Sequence, residues 1–222
     1  MSKKETVEKQ EAVIEKADKQ ETVQDNGKYT ARDAIQIGLY AALLFFLSGL
    51  SGSIGFIPIL YPISPFFIAI VCGPVFFLFL SKVRRFGMIT VVGTLQGAFL
   101  AITGHGIYSL VASVILGLIA DIICRMGNYR SFKHSLLGYA VYSVIMATSF
   151  FPMMFSADAF YANIATSMSA DFAKQLRDIM HGPIFIVVFL GAFVGGIIGA
   201  FLGRAVARRH FQRSRRRSRT AK

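Results

Sequence analysis

Asp121 is an ionisable side chain deep in an apolar part of this chain, with Arg125 four residues further on. On a helix that spacing brings carboxylate and guanidinium onto one face. A carboxylate in hydrocarbon costs roughly 2.5–3.5 kcal/mol on insertion scales. Two roles fit the pair Asp121 and Arg125: a structural ion pair, or a group that couples a conformational change. A proton relay needs a chain of such groups, and the apolar segments do not supply one. His105 and His181 fall toward the opposite side of those segments, as do Met153, Met154, Met168 and Met180. Imidazole and thioether ligate haem iron axially, and methionine also makes adaptable apolar pockets. His105, between Gly104 and Gly106, equally suits a plain turn. Tyr61, Gln96, Tyr108, Tyr161 and Asn163 complete a substrate-binding set with the two histidines, since a mostly apolar pocket uses a few polar groups to orient its ligand. Each of them also suits packing or interfacial anchoring.

Other chemistry is missing from the sequence. It has no glycine-rich phosphate loop ending in Gly-Lys-Ser/Thr, no His-Glu-x-x-His helix and no Gly-x-Ser-x-Gly elbow. No acid–base or nucleophile constellation can be assembled, so no catalytic residue is assigned and an enzyme is not expected. Cys72 and Cys124 lie within or at the end of apolar segments, which argues against a structural disulfide and against a four-ligand zinc site. No metal site is assigned.

Six apolar stretches must position these side chains: residues 34–50, 62–81, 86–103, 107–124, 135–155 and 183–203. A hydrocarbon layer about 30 Å thick takes roughly 20 apolar residues of helix to cross. Lys82, Arg84 and Arg85 fill the second connection, Arg125, Arg130 and Lys133 the fourth, and Arg204 onward the tail. The first and third connections carry no Lys or Arg. Cytoplasmic loops collect these residues, so the pattern predicts six transmembrane helices with both termini cytoplasmic. The net charge of +12 then reflects topology and attraction to anionic lipid rather than a nucleic-acid partner. Residues 1–29 alternate Lys with Glu and read as a disordered cytoplasmic tail, residues 30–207 as the helical domain, and residues 208–222 as a basic cytoplasmic tail.

The connections differ in character. Residues 51–61 are apolar but broken by Gly52, Gly55 and Pro58, which excludes a regular helix and predicts a lid buried against protein. Residues 156–182 contain Phe160, Ile164, Met168, Phe172 and Leu176 at four-residue steps. That stripe predicts one amphipathic helix over 159–180, lying either over the outer mouth or on the lipid surface. Small residues form ladders at the same spacing: Gly191, Gly195, Gly199, Gly203 and Ala207; Gly93, Gly97 and Ala101; Ala34, Gly38 and Ala42. Such ladders let helix backbones approach closely in lipid, within the chain or between chains.

Six segments of sequence carry a family resemblance. They are Thr30-Ala31-Arg32-Asp33-Ala34-Ile35-Gln36-Ile37-Gly38, Ser81-Lys82-Val83-Arg84-Arg85-Phe86-Gly87-Met88-Ile89-Thr90, Thr103-Gly104-His105-Gly106, Gly117-Leu118-Ile119-Ala120-Asp121, Tyr129-Arg130-Ser131-Phe132-Lys133 and Leu137-Gly138-Tyr139-Ala140. In order and spacing, over residues 29–211, the chain resembles the substrate-binding S components of energy-coupling-factor (ECF) transporters, specifically the MptD-like (Trep–Strep) group. The resemblance implies an S-component bundle in a bacterial cell membrane that captures a micronutrient from outside. It also implies partners: a transmembrane coupling protein and two cytoplasmic ATPases that use ATP. The S component has no cofactor of its own. In that family the first helix presents a small-residue patch to the coupling protein, and the matching positions are Ala34, Gly38 and Ala42. The expected ligand is a vitamin-like molecule or a tetrapyrrole such as haem. Free nickel or cobalt is disfavoured because the amino-terminal histidine of such S components is missing. A stand-alone channel or secondary carrier, oligomerising through the Gly191–Gly203 ladder, is the alternative.

Overall fold

The computed structural model describes residues 31–82 and 84–220, with side chains as far as Ala207. The tail expected over residues 1–29, and the side chains of the tail expected over 208–222, lie outside the described residues. The chain divides into two units, Met1–Ala34 and Ile35–Lys222. Of the first, only the opening of one helix is described. Helix α1 is Ala31–Gly52, followed by 3-10 turns at Ser53–Phe56 and Pro58–Ile63. Then come α2 (Ser64–Lys82), α3 (Met88–Leu100), α4 (Gly106–Met126), α5 (Phe132–Ser143), α6 (Phe151–Phe155), α7 (Ala157–Ser167), α8 (Ala170–Ile179) and α9 (Pro183–Thr220). No strand occurs among the described residues.

Among the described residues five helical stretches are long and apolar enough to cross a membrane: Ala31–Phe56, Pro58–Lys82, Met88–Met126, Phe132–Phe155 and Pro183–Ala207. The third contains 39 residues, which as one rod would reach about 58 Å, roughly twice the hydrocarbon thickness. It folds in half instead. A π-helical turn, Ala101–His105, ends α3, and the backbone swings through positive φ at Gly104 (96°) and Gly106 (73°). Side chains strongly resist that conformation and glycine does not. The two arms then lie antiparallel. Gly97 of α3 faces Ser113 of α4, and Gly93 faces Gly117, whose own Cβ position is 3.2 Å from Thr90 Cα.

The tightest packing is between α2 and α9. A Cβ on Gly73 would strike the carbonyl of Gly199, and one on Gly199 would strike the carbonyl of Ala69 and stand 3.2 Å from Ile70 Cα. Gly203 lies against Gly73 and Phe77, and Gly195 against Phe66. The next face of α9 packs on α5: Gly196 meets Ala140 and Ser143, and Ser143 Oγ donates to the Ala192 carbonyl at 2.9 Å. The ladder in the last span is thus occupied within the chain. Around it Phe76, Phe79 and Tyr139 are fully buried, with Phe76 4.7 Å from the Tyr139 ring and 4.8 Å from that of Tyr142. Facing away from the bundle, α4 exposes Ile107, Val111, Ile115 and Ile122, and α9 exposes Ile186, Val187, Leu190 and Phe201. Apolar faces of this size suit lipid rather than water.

Two expected elements are divided. The stretch 135–155 is α-helical only to Ser143, then 3-10 over Val144–Phe150 before α6. Pro152 bears on the far end of that stretch: it has no N–H to donate to the carbonyl four residues earlier, that of Thr148. The Thr148 carbonyl instead accepts from Phe151 N–H and from Ser109 Oγ of α4 at 2.9 Å. The amphipathic helix expected over 159–180 is two helices. Ser169 breaks it by capping α8, its side chain accepting from Phe172 N–H at 3.1 Å, an arrangement that favours a helix start over continuation. Phe160, Phe172 and Leu176 are nonetheless buried, joining Phe150, Met153, Met180 and Val188 in one apolar cluster. Met168, at the break, is exposed.

The interlock at Gly199 gives a test. Gly199→Ala forces two backbones apart and should lose about 1–3 kcal/mol, as overpacking does, seen as a lower unfolding midpoint in detergent. Gly191→Ala, whose new methyl would meet Phe66 Cβ at an ordinary 3.9 Å, should keep the parental midpoint.

Candidate functional site

At the end of the bundle away from Arg84, Arg130 and Arg204 lies a cavity of about 410 Å³. One wall is α1, through Phe45, Ser48, Gly49 and Gly52. The 3-10 turns add Ser53, Phe56 and Tyr61, α2 adds Ser64 and Ile68, and α3 with its π-turn adds Gln96, Phe99, Thr103 and His105. Met146, Ser149 and Phe150 come from the 3-10 stretch after α5. The size falls within the range of about 300–1,000 Å³ typical of small-molecule sites, and the mix of many apolar and few polar groups is typical too. The segment expected as a lid does border the cavity. It is two short 3-10 turns joined at Ile57, whose backbone is extended (φ −99°, ψ 117°).

Gln96 sits at the cavity's inner side and is 7% exposed. Its Oε1 accepts from Tyr142 Oη at 2.6 Å, and its Nε2 donates to Ser48 Oγ at 3.1 Å. Ser48 in turn donates to the Leu44 carbonyl at 2.6 Å. The amide is therefore fixed in orientation across three helices, α1, α3 and α5, and ties the lightly buried α1 to the bundle. His105 is held by Thr103. The Thr103 hydroxyl stands 2.9 and 3.1 Å from the Phe99 and Leu100 carbonyls and 3.2 Å from His105 Nδ1. Tyr61 packs edge-on to Phe150, with ring centres 5.1 Å apart. Its hydroxyl has no hydrogen bond to another described residue.

Three of the seven expected ligand residues, Tyr61, Gln96 and His105, thus share the cavity, and four do not. Asn163 lies beside the π-turn, its Nδ2 3.8 Å from the Cβ position of Gly104. Tyr108 is half exposed and packs on Phe155 at 5.3 Å. Tyr161 is buried between α7 and α8 under the Arg177 guanidinium, 5.3 Å from the ring centre, while Arg177 bridges to Asp158 at 2.6 Å. Burial pushes its hydroxyl pKa up, and Arg177 opposes the shift. His181 is exposed near the Asp178 carbonyl, at 3.3 Å. His105 and His181 are not lining one site. Among the described residues no group of three or more His, Cys, Asp or Glu is arranged to hold a metal ion. Ser48, Thr103 and Met146 were missed by sequence reasoning. The signal for the first two was a lone hydroxyl within an apolar run; Met146 carried none.

A family model for hypothetical bacterial integral membrane proteins, Trep_Strep, matches residues 31–213. The chain belongs to this family. No curated protein and no solved structure matches it.

At the other end of this Trep_Strep chain, Asp121 is fully buried and has different partners from the one its spacing implied. Arg125 lies over the Phe86 ring at 4.8 Å instead of pairing with it. Asp121 Oδ2 accepts from Gly87 N–H (2.8 Å), Thr90 N–H (3.2 Å) and Thr90 Oγ1 (3.1 Å), and Oδ1 accepts from Tyr129 Oη (2.7 Å). Gly87, at φ 92°, has no side chain to cap α3, so a carboxylate from α4 supplies the cap and meets the positive end of the helix dipole. These donors satisfy both oxygens, and the guanidinium is left to the surface. Burial and the Asp121 carboxylate together push the Tyr129 hydroxyl well up from its ordinary pKa.

The small residues of the first helix are placed differently from the other ladders. Gly38 and Ala42 are exposed, and a Cβ on Gly38 would meet nothing within 4 Å. Ala34, in the first unit, is exposed as well.

If Asp121 is a cap, its loss is costly and that of Arg125 is not. Asp121→Ala should cost at least about 1.5–3 kcal/mol, the worth of charged hydrogen bonds with donors left behind. Arg125→Ala should cost less than about 1 kcal/mol, the scale of an exposed cation–π contact. Unfolding midpoints of the two variants in detergent check this directly.

Proposed function

We propose that this chain is the substrate-capture (S) subunit of an ATP-driven importer of the ECF type, and not an enzyme. It would take a vitamin-like organic molecule from outside the cell. The observation that carries the reading is the 410 Å³ cavity, bounded by the broken 3-10 segment and placed opposite the arginine-rich end. With the apolar run Met88–Met126 counted as two crossings, the chain passes the membrane six times. The positive-inside rule puts Arg84, Arg130, Arg204 and both termini in the cytoplasm, so the cavity faces outward. A captured ligand would lie against Phe45, Phe99 and Phe150, oriented by Tyr61 Oη and the His105 ring, while the Gln96 amide holds the wall between α1 and α3. The exposed α1 face at Gly38 and Ala42, with Ala34 one turn earlier, supports docking on a transmembrane coupling protein. Two ATPases on the cytoplasmic side then supply the energy.

The competing channel or carrier assembled through the Gly191–Gly203 ladder is less well supported, because that ladder already packs against α2 and α5. Haem remains an outcome for experiment to decide. His105 and Met146 both border the cavity, but His181 does not.

The test is the absorption spectrum of the purified chain, followed by mass spectrometry of what denaturation releases. A stoichiometric organic molecule without a Soret band is the expected result; a Soret band makes the ligand a tetrapyrrole. Transport by the chain alone in liposomes, without ATPases, overturns the subunit reading. His105→Ala should weaken binding of the identified ligand at least tenfold, about 1.4 kcal/mol, with an unchanged unfolding midpoint. Gly38→Leu should leave ligand binding intact and reduce co-purification with the coupling protein.

A further inference from the structure

A second cavity lies at the end opposite the ligand site, with a volume of about 590 Å³. Three arginines line it from three separate parts of the chain: Arg84 after α2, Arg130 between α4 and α5, and Arg204 in α9. Each stands where an apolar run ends. Ser81 and Ser135 add hydroxyls, while Phe77, Leu80 and Phe132 form an apolar inner wall. Arg204 is held in place by its stack on Phe132, 4.1 Å from the ring centre. Among the described residues none of the three guanidiniums is in an ion pair, and no carboxylate lines the cavity. The nearby acid, Asp121, is fully buried and already accepts four hydrogen bonds.

Three like charges converging on one cavity repel one another unless an anion joins them. Guanidinium is the group best matched to phosphate, which it can meet with two parallel hydrogen bonds. The apolar wall continues that charge into the hydrocarbon side of the boundary. Basic pockets between helices at the membrane–water boundary are suited to anionic headgroups. We propose that this cavity binds the phosphate of an anionic phospholipid, with the glycerol and first acyl carbons against Phe77, Leu80 and Phe132. The site is independent of the importer reading, because it uses none of the ligand cavity or the exposed α1 face. Bound lipid would tie together the ends of α2, α5 and α9.

The experiment measures the unfolding midpoint of the full chain in neutral detergent with added phosphatidylglycerol, phosphatidylcholine or inorganic phosphate. Native mass spectrometry of the same samples reads bound lipid. Variants are Arg130→Gln, an exposed turn residue whose loss should not impair folding, Arg204→Gln, and Lys174→Gln at the far end as a charge-matched control. A rise of several degrees with phosphatidylglycerol alone, with a retained lipid adduct, is expected. Both should be lost in Arg130→Gln and kept in Lys174→Gln. An equal rise with inorganic phosphate, also lost in Arg130→Gln, keeps the phosphate site but assigns it to a soluble anion. No rise with phosphatidylglycerol, or an equal rise in all three variants, overturns the proposal, the latter by showing attraction to net charge alone. If Arg204→Gln does not fold, Arg130→Gln decides the matter.

Discussion

In hydrocarbon, helices gain nothing by hiding apolar side chains from one another, and close backbone contact is what holds them together. In this chain that contact is concentrated where Gly73 of α2 meets Gly199 of α9 with no side chain between them. Much else depends on it. The approach turns the neighbouring face of α9, at Gly196 and Ala200, onto α5, and leaves a space that Phe76, Tyr139 and Tyr142 fill. It also brings Arg204 to the end of α2, where it meets Phe132 and the cavity shared with Arg84. A second close pair, α3 with α4 through Gly93 and Gly97, builds the other side of the bundle.

Helix α1 is held by another principle. Its buried residues are Ile37 and Leu44, and its contacts are made by long side chains such as Tyr40 on Phe79 and Phe45 on Phe99. The one polar tie described above, Ser48 to Gln96 to Tyr142, crosses from α1 to α5 just inside the cavity. A cavity can exist there because backbones that stand apart leave room that glycine-packed backbones do not. The same looseness leaves the opposite face of α1 exposed at Gly38, Leu39, Ala42 and Phe46. The cavity and the open helix face are therefore two results of one weakly packed element.

Much of this was legible in the sequence. Apolar runs and the Gly104-His105-Gly106 turn marked the helices and the hairpin, and four-residue ladders marked the close helix pairs. What the sequence hid were contacts between distant residues. Asp121 looked paired with Arg125 because a four-residue spacing is visible along a chain. Its true donors at Gly87 and Thr90 are more than thirty positions away. The Ser169 break was readable as a cap signal, with Asp171 in the first turn, but a continuous apolar stripe outweighed it. The ligand candidates fared unevenly for a related reason. Tyr61, Gln96 and His105 lie on separate elements whose convergence is set by packing. Tyr108 and Tyr161, alike in type, are turned toward Phe155 and Arg177 instead.

The surroundings of the cavity differ in how firmly they are held. Between α7 and α8, Phe160, Phe172 and Leu176 are buried with Met153, Met180 and Val188, so this helical pair is anchored by a core of its own. No residue of α7 or α8 lines the cavity; the cluster reaches it through Phe150, against which Tyr61 packs. The 3-10 border is held differently: Phe56, Ile57 and Ile59 are each more than half exposed, while Tyr61 and Ser64 turn inward. Ser64 Oγ is bonded to the Tyr61 carbonyl at 2.8 Å, within the same short segment. The turn Pro58–Ile63 nonetheless packs against α2, α8 and α9, with Tyr61 set against the buried cluster around Phe150, while the extended residue Ile57 separates it from the turn before. The cavity wall is therefore anchored where Tyr61 and Ser64 turn inward and least covered at Phe56.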